Sequence, residues 1–167
     1  MSPSFRVYTS SDPLGIQLGG ALKNIIAIAA GINDGLGYGT NSKSALITRG
    51  IVEMRRFGAF FGAEPETFNG LSGIGDLITT CFSGYSRNRR LGEELAKGKA
   101  LREALAEMVM VAEGVPTTQT VYEFSHRNCV EMPITDKVYG VLFGGLSPKA
   151  AVTELMMRDR KPEYHSS

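Results

Sequence analysis

Tryptophan is absent from these 167 residues, and cysteine and histidine occur only twice each. Cys81 and Cys129 stand far apart, with no CxxC pair and no neighbouring His pair. That pattern argues against a disulfide framework and against a metal site, and it suits a reducing, cytoplasmic compartment. An excess of one charge is missing too: 18 Lys+Arg face 17 Asp+Glu, a formal net charge of +1. Whole-molecule attraction to nucleic acid or to a membrane surface is therefore not expected, and any anion site must be a local cluster. The N-terminus has no basic stretch followed by an apolar core. No run approaches the roughly 20 uninterrupted apolar residues of a spanning helix. Val/Ile/Thr alternation, the mark of strands, is scarce. What is abundant is glycine, 20 residues, much of it inside helix-like segments. Each such glycine costs about 1 kcal/mol relative to alanine, which a protein accepts where helices or a ligand approach the backbone closely.

The chain reads as one all-α domain. Residues 5–10 (FRVYTS) are the best strand candidate. Asp12 before Pro13 is an N-cap with proline at the first helical position. Helical spacing of apolar residues then predicts a buried helix over 13–33 and a second over 42–61, capped by Asn41. A short turn is expected at 65–68, a loop at 70–75, and helices at 76–82, 86–97 and 101–106. Residues 108–114 read equally as strand or loop. Further helices follow at 116–126, 133–143 and 147–157, the last opened by Ser147-Pro148. The cluster Phe57, Phe60 and Phe61 reads as core packing. His126, near a helix end, reads as a cap, and His165 lies in the charged tail.

Three clusters carry chemistry. Lys23 sits in the middle of an apolar, Gly-rich helix, where an unpartnered ammonium is costly to bury. It is either an acid/base or a fixed cation beside an anionic substrate, or a lysine snorkelling to an exposed face. Asp76 follows the run Gly70-Leu71-Ser72-Gly73-Ile74-Gly75 and either lines a pocket or sits in the first turn of its helix, where its charge suits the dipole. Ser86-Arg87-Asn88-Arg89-Arg90 places three cations at a helix start, the wrong sign for the dipole there. A bound phosphate would supply the missing anion through backbone N–H groups, Ser86, Asn88 and a guanidinium. The other reading is a solvated basic face paired with Glu93 and Glu94. No dinucleotide fingerprint follows a strand anywhere in the chain.

Four blocks in this order, LGGALKNIIAIAAG (residues 18–31), DGLGYGTNSKSALITRG (34–50), GLSGIGDLITTC (70–81) and SRNRR (86–90), closely resemble bacterial glycerol-3-phosphate dehydrogenase. The resemblance runs over residues 5–161. It implies a two-domain enzyme with an N-terminal Rossmann domain and an all-α domain like that of 6-phosphogluconate dehydrogenase. Such an enzyme interconverts dihydroxyacetone phosphate and sn-glycerol 3-phosphate with NAD or NADP, for phospholipid synthesis. The blocks belong to the second domain, so the expected organisation is a linker or closing strand at 1–11, the helical substrate-binding domain at 12–162, and a tail at 163–167. With the Rossmann domain absent, the chain is expected to fold but to be inactive alone.

Carried over by position, the resemblance makes Lys23 the catalytic lysine that exchanges a proton with the substrate hydroxyl. Asn24, Asp76, Thr80, Ser86, Arg87 and Asn88 fall at substrate-binding positions, with Arg87 and Asn88 on the phosphate and Asp76 beside Lys23. Arg87, Val111 and Glu113 are expected to touch the cofactor. Gln17 stands where the family commonly has glutamate, and Ser44 where it has alanine. A homodimer is compatible with the Gly-rich helices. Two other classes stay open: a stand-alone helical interaction module that has lost catalysis, and a phosphate-metabolite sensor.

Overall fold

The computed structural model describes residues 2, 4–108 and 110–159. The expected tail at 163–167, with His165, and residues 160–162 of the helical domain lie outside that range. Eight α-helices occur among the described residues: α1 (Pro13–Gly35), α2 (Thr40–Phe60), α3 (Asp76–Phe82), α4 (Arg87–Ala96), α5 (Leu101–Ala106), α6 (Gly114–Arg127), α7 (Pro133–Phe143) and α8 (Pro148–Met156). A 3₁₀ turn (Pro65–Asn69) and a π turn (Leu71–Gly75) join α2 to α3. The all-α expectation holds.

α1 is the axis of the molecule, and α2, α3, α4, α6 and α7 all pack on it. Its start is fixed by Asp12, whose Oδ1 accepts the Gly15 N–H at 2.8 Å. The other oxygen accepts from Thr67 Oγ1 at 2.7 Å and from the Glu64 N–H at 2.9 Å, tying the helix start to the segment after α2. These bonds, that of Gly15 first, hold the Asp12 carboxyl below its ordinary pKa. By length and composition α1 is apolar enough to cross a membrane, although Gln17, Lys23 and Asn24 interrupt its apolar run as the sequence implies. Its apolarity has another cause: Leu22, Ile25, Ile26, Ile28 and Ile32 are all buried under neighbouring helices.

Glycine sets how closely those neighbours come. A Cβ on Gly31 would lie 1.8 Å from the Arg89 carbonyl oxygen, and one on Gly92 would lie 2.1 Å from that of Ile28. α1 and α4 therefore pack backbone to backbone, which only glycine on both sides permits.

Several local expectations are corrected. Residues 6–10 are unpaired, and Phe5 makes only an isolated bridge to Ser2. A strand needs a neighbour to satisfy its ladder, and no named strand exists among the described residues. α2 begins at Thr40 with Gly39 as an uncapped N-cap, so Asn41 lies inside the first turn. The chain enters through Gly37 at φ +76°, which commits it to helix two residues earlier than Asn41 would. Residues 71–75 form the π turn instead of a loop, closed by the Gly75 N–H on the Gly70 carbonyl at 3.2 Å. Phe57 is buried as expected, but Phe60 is 50% and Phe61 40% exposed. All three rings pack around Phe124 of α6 at centroid distances of 4.9–5.5 Å, at the edge of the core.

Candidate active site

Gly19 and Lys23 lie one turn apart on the same face of α1. A Cβ on Gly19 would sit 2.8 Å from the Ser72 carbonyl oxygen, so the π turn presses directly onto α1 at that point. That contact delivers the start of α3 to the next turn of α1, where Lys23 Nζ donates to Asp76 Oδ2. Both side chains are partly exposed, 21% for Lys23 and 38% for Asp76, so the ion pair faces solvent along one edge. Thr80 Oγ1 donates to the Asp76 carbonyl at 2.7 Å and lies 3.4 Å from its Oδ1.

The neighbouring residue on α1 points the other way. Asn24 is buried, donates to the Gly20 carbonyl at 3.2 Å and accepts from Asn88 Nδ2 at 2.9 Å. Asn88 Oδ1 accepts the Gly114 N–H at 2.9 Å. This chain joins α1, α4 and the start of α6 through buried amides. Asn88 is thus turned inward, with its acceptor and one amide hydrogen already engaged.

Arg87, one residue before, faces outward. Its Nη1 donates to the Val111 carbonyl at 3.1 Å, and Nη2 lies 3.9 Å from Glu113 Oε1. Ser86 caps α4, its Oγ accepting the Arg89 N–H at 3.3 Å. The nine residues singled out in the sequence therefore fall into three groups of direct contacts and one cap. Lys23, Asp76 and Thr80 form one end, Arg87, Val111 and Glu113 the other, and Asn24–Asn88 ties the helices that carry them. Val111 is 69% exposed, and guanidinium N–H groups remain for a further anion.

The three arginines at the start of α4 have separate fates. Arg90 is exposed. Arg89 finds its anions inside the protein, from Nε to Asp34 at 2.7 Å and from Nη2 to Glu93 at 2.7 Å. Only the Glu93 partner was anticipated. Asp34 also takes Lys43 Nζ at 2.6 Å. The pairing of Asp34 with Lys43 and Arg89 has no signature in the sequence, although Asp34 and Lys43 lie in one of the four blocks.

A sizeable cavity lies elsewhere. It measures about 460 Å³, between α1, α2, α7 and α8, against Ile32, Leu46, Val138, Val152 and Leu155. None of the nine candidate residues lines it. Cavity volume is a poorer guide to chemistry here than the part-exposed ion pair and guanidinium.

The family described as NAD-dependent glycerol-3-phosphate dehydrogenase C-terminus matches residues 12–153. The glycerol-3-phosphate dehydrogenase, NAD(P)+, of Desulfitobacterium hafniense is 56% identical over 163 residues, covering 98% of this chain and 46% of that protein. The one from Geobacillus kaustophilus is 58% identical over 159 residues, covering 95% and 46%. Among solved structures, glycerol-3-phosphate dehydrogenase from Coxiella burnetii superposes with a TM-score of 0.90 at 44% identity, over 95% of this chain and 49% of that one. The enzyme from Saccharomyces cerevisiae gives 0.86 at 31% identity, over 95% and 46%. The chain spans about half the length of the curated relatives it matches.

Proposed function

The chain belongs to the family of NAD-dependent glycerol-3-phosphate dehydrogenase C-terminal domains, and from that premise we propose that it forms the substrate half of an oxidoreductase site. The reaction is the interconversion of dihydroxyacetone phosphate and sn-glycerol 3-phosphate with NAD or NADP, in service of phospholipid synthesis. The observation that carries the reading is the ion pair of Lys23 on α1 with Asp76 on α3, with Arg87 at the start of α4 keeping guanidinium donors to spare and the Asn24–Asn88 bond tying α4 to α1.

A nicotinamide, when bound, supplies or receives the hydride at C2 of the substrate. The chain's own residues handle the rest. Lys23 donates a hydrogen bond to the C2 oxygen, polarises the ketone, and passes a proton to the oxygen as the carbon is reduced. In the reverse direction it takes that proton back. Asp76 anchors the ammonium, and Thr80 holds Asp76 from the next turn. Arg87, with the Ser86 end of α4, binds the phosphate dianion, and the inward Asn24–Asn88 pair fixes that end of α4 against α1. Toward the cofactor, Arg87, the Val111 carbonyl and Glu113 offer a mixed donor and acceptor edge. That set fits an edge contact with a dinucleotide whose main cradle comes from elsewhere.

Large apolar side chains stand exposed in the same segments: Leu71, Ile78, Phe82, Tyr85 and Val111. This is the surface we assign to a nucleotide-binding domain, in keeping with relatives about twice as long. Alone, the chain is inactive in this reading, because hydride transfer requires the nicotinamide to be held against C2. A cytoplasmic homodimer completes the proposal, and the unpaired thiols Cys81 and Cys129 suit that compartment.

The test is binding of glycerol 3-phosphate to the 167-residue chain, followed by NMR with and without Arg87→Ala. The substitution is expected to weaken binding by on the order of 1.5–3 kcal/mol. Equal affinity in both proteins would leave Arg87 without a phosphate role and favour a helical interaction module instead.

A further inference from the structure

Asp34, in the last turn of α1, bonds two cations that reach the segments on either side of the α3–α4 connection. One carboxylate oxygen, Oδ2, takes Lys43 Nζ at 2.6 Å and Arg89 Nε at 2.7 Å. Each cation then reaches a different side of the α3–α4 connection. Lys43 lies over the Phe82 ring at 4.5 Å and donates to the Cys81 carbonyl at 3.4 Å, gripping the last turn of α3. Arg89 reaches the Ser83 carbonyl at 3.5 Å, and its own N–H is the one capped by Ser86. The connection so held, residues 83–86, is what separates Asp76 on α3 from Arg87 on α4.

The charges explain why the grip depends on Asp34. Lys43 is 7% exposed and Arg89 17%, so both cations are largely out of water. Glu93 satisfies Arg89 alone. Without a carboxylate between them, Lys43 and Arg89 face each other with one anion for two charges, and a part-buried cation without its partner moves toward solvent. Either movement loosens the end of α3 from the start of α4.

We infer that Asp34 is a positioning residue: by holding Lys43 and Arg89 together it sets the spacing between the Lys23–Asp76 pair and the phosphate-binding Arg87. The inference rests on the function proposed above, since it assigns the two ends of one substrate to those groups. It also separates spacing from affinity. Inorganic phosphate needs only the Arg87 end, whereas glycerol 3-phosphate must reach both ends at once.

The experiment measures the affinities of glycerol 3-phosphate and inorganic phosphate for the chain and for Asp34→Asn, which keeps shape and removes the charge. The unmodified chain is expected to prefer glycerol 3-phosphate. In Asp34→Asn that preference falls by about tenfold while phosphate affinity stays within about twofold. A residue that only stabilised the fold would lower both affinities together or neither. Should Asp34→Asn fail to melt cooperatively, Arg89→Lys is read in its place; it keeps a cation beside Asp34 but gives up the guanidinium fork, and the same selective loss is expected. A preference preserved in the folded variant overturns the positioning role alone. No preference in the unmodified chain overturns the substrate reading as well.

Discussion

Asn88 and Asn24, 64 residues apart in sequence, share a buried side-chain hydrogen bond of 2.9 Å, and Asn88 spends its remaining oxygen on the Gly114 N–H. Three helices are joined at one amide. Asn88→Ala strands the Gly114 N–H and the Asn24 carbonyl oxygen in a buried site. The expected cost is about 3 kcal/mol of unfolding free energy, read from urea denaturation. A cost below about 1 kcal/mol would mean that the clasp is not structural and that Asn88 is available to a ligand.

The α1–α4 interface makes a sharper comparison, because two glycines of the same helix have opposite surroundings. A Cβ at Gly31 would meet the Arg89 carbonyl at 1.8 Å, while one at Gly20 meets nothing within 4 Å. Gly31→Ala must push α4 away and is expected to destabilise by about 3 kcal/mol. Gly20→Ala only gains helix propensity and is expected to stabilise by about 1 kcal/mol. Thermal unfolding of the two variants side by side checks both signs, and destabilisation of equal size would show that the packing argument is wrong.

Most of the helices were legible because their ends are written in the sequence. Asp12-Pro13 and Ser147-Pro148 each cap the helix that the residue types imply. α2 was misplaced because its start is set by the turn at Gly37 and not by a capping side chain. The sequence implies a loop where the π turn forms, because a Gly-rich run does not reveal which carbonyl its N–H groups will find. The site is legible as residue types at fixed places, and direct contacts join several of those residues into small groups. Their internal partners are not legible. Asp34 meets Arg89 across 55 residues, and no local spacing encodes that pairing. The excess of arginine at α4, read as a demand for phosphate, is partly answered by that internal carboxylate.

Glu53 offers a test by pH, in a position that neither composition nor motif singles out. It is 2% exposed beneath the start of α7. One oxygen accepts the Ile134 N–H, and the other lies 3.3 Å from both the nitrogen and the hydroxyl of Thr135. Those bonds favour the carboxylate, yet burial outweighs them and raises the pKa from 4.5 to about 7, with nearby Asp136 adding to the rise. The folded chain therefore holds this proton more tightly than the unfolded chain does. The corresponding stability is complete below about pH 4.5 and is lost as pH rises toward about 7. Glu53→Gln carries no charge to titrate. Between about pH 5 and about pH 8 its stability relative to the unmodified chain should rise by on the order of 2 to 3 kcal/mol. Comparing the two proteins at each pH cancels every other titrating group, so denaturation curves that keep a constant separation would show that Glu53 is ionised throughout. The three hydrogen bonds at the start of α7 would then outweigh its burial.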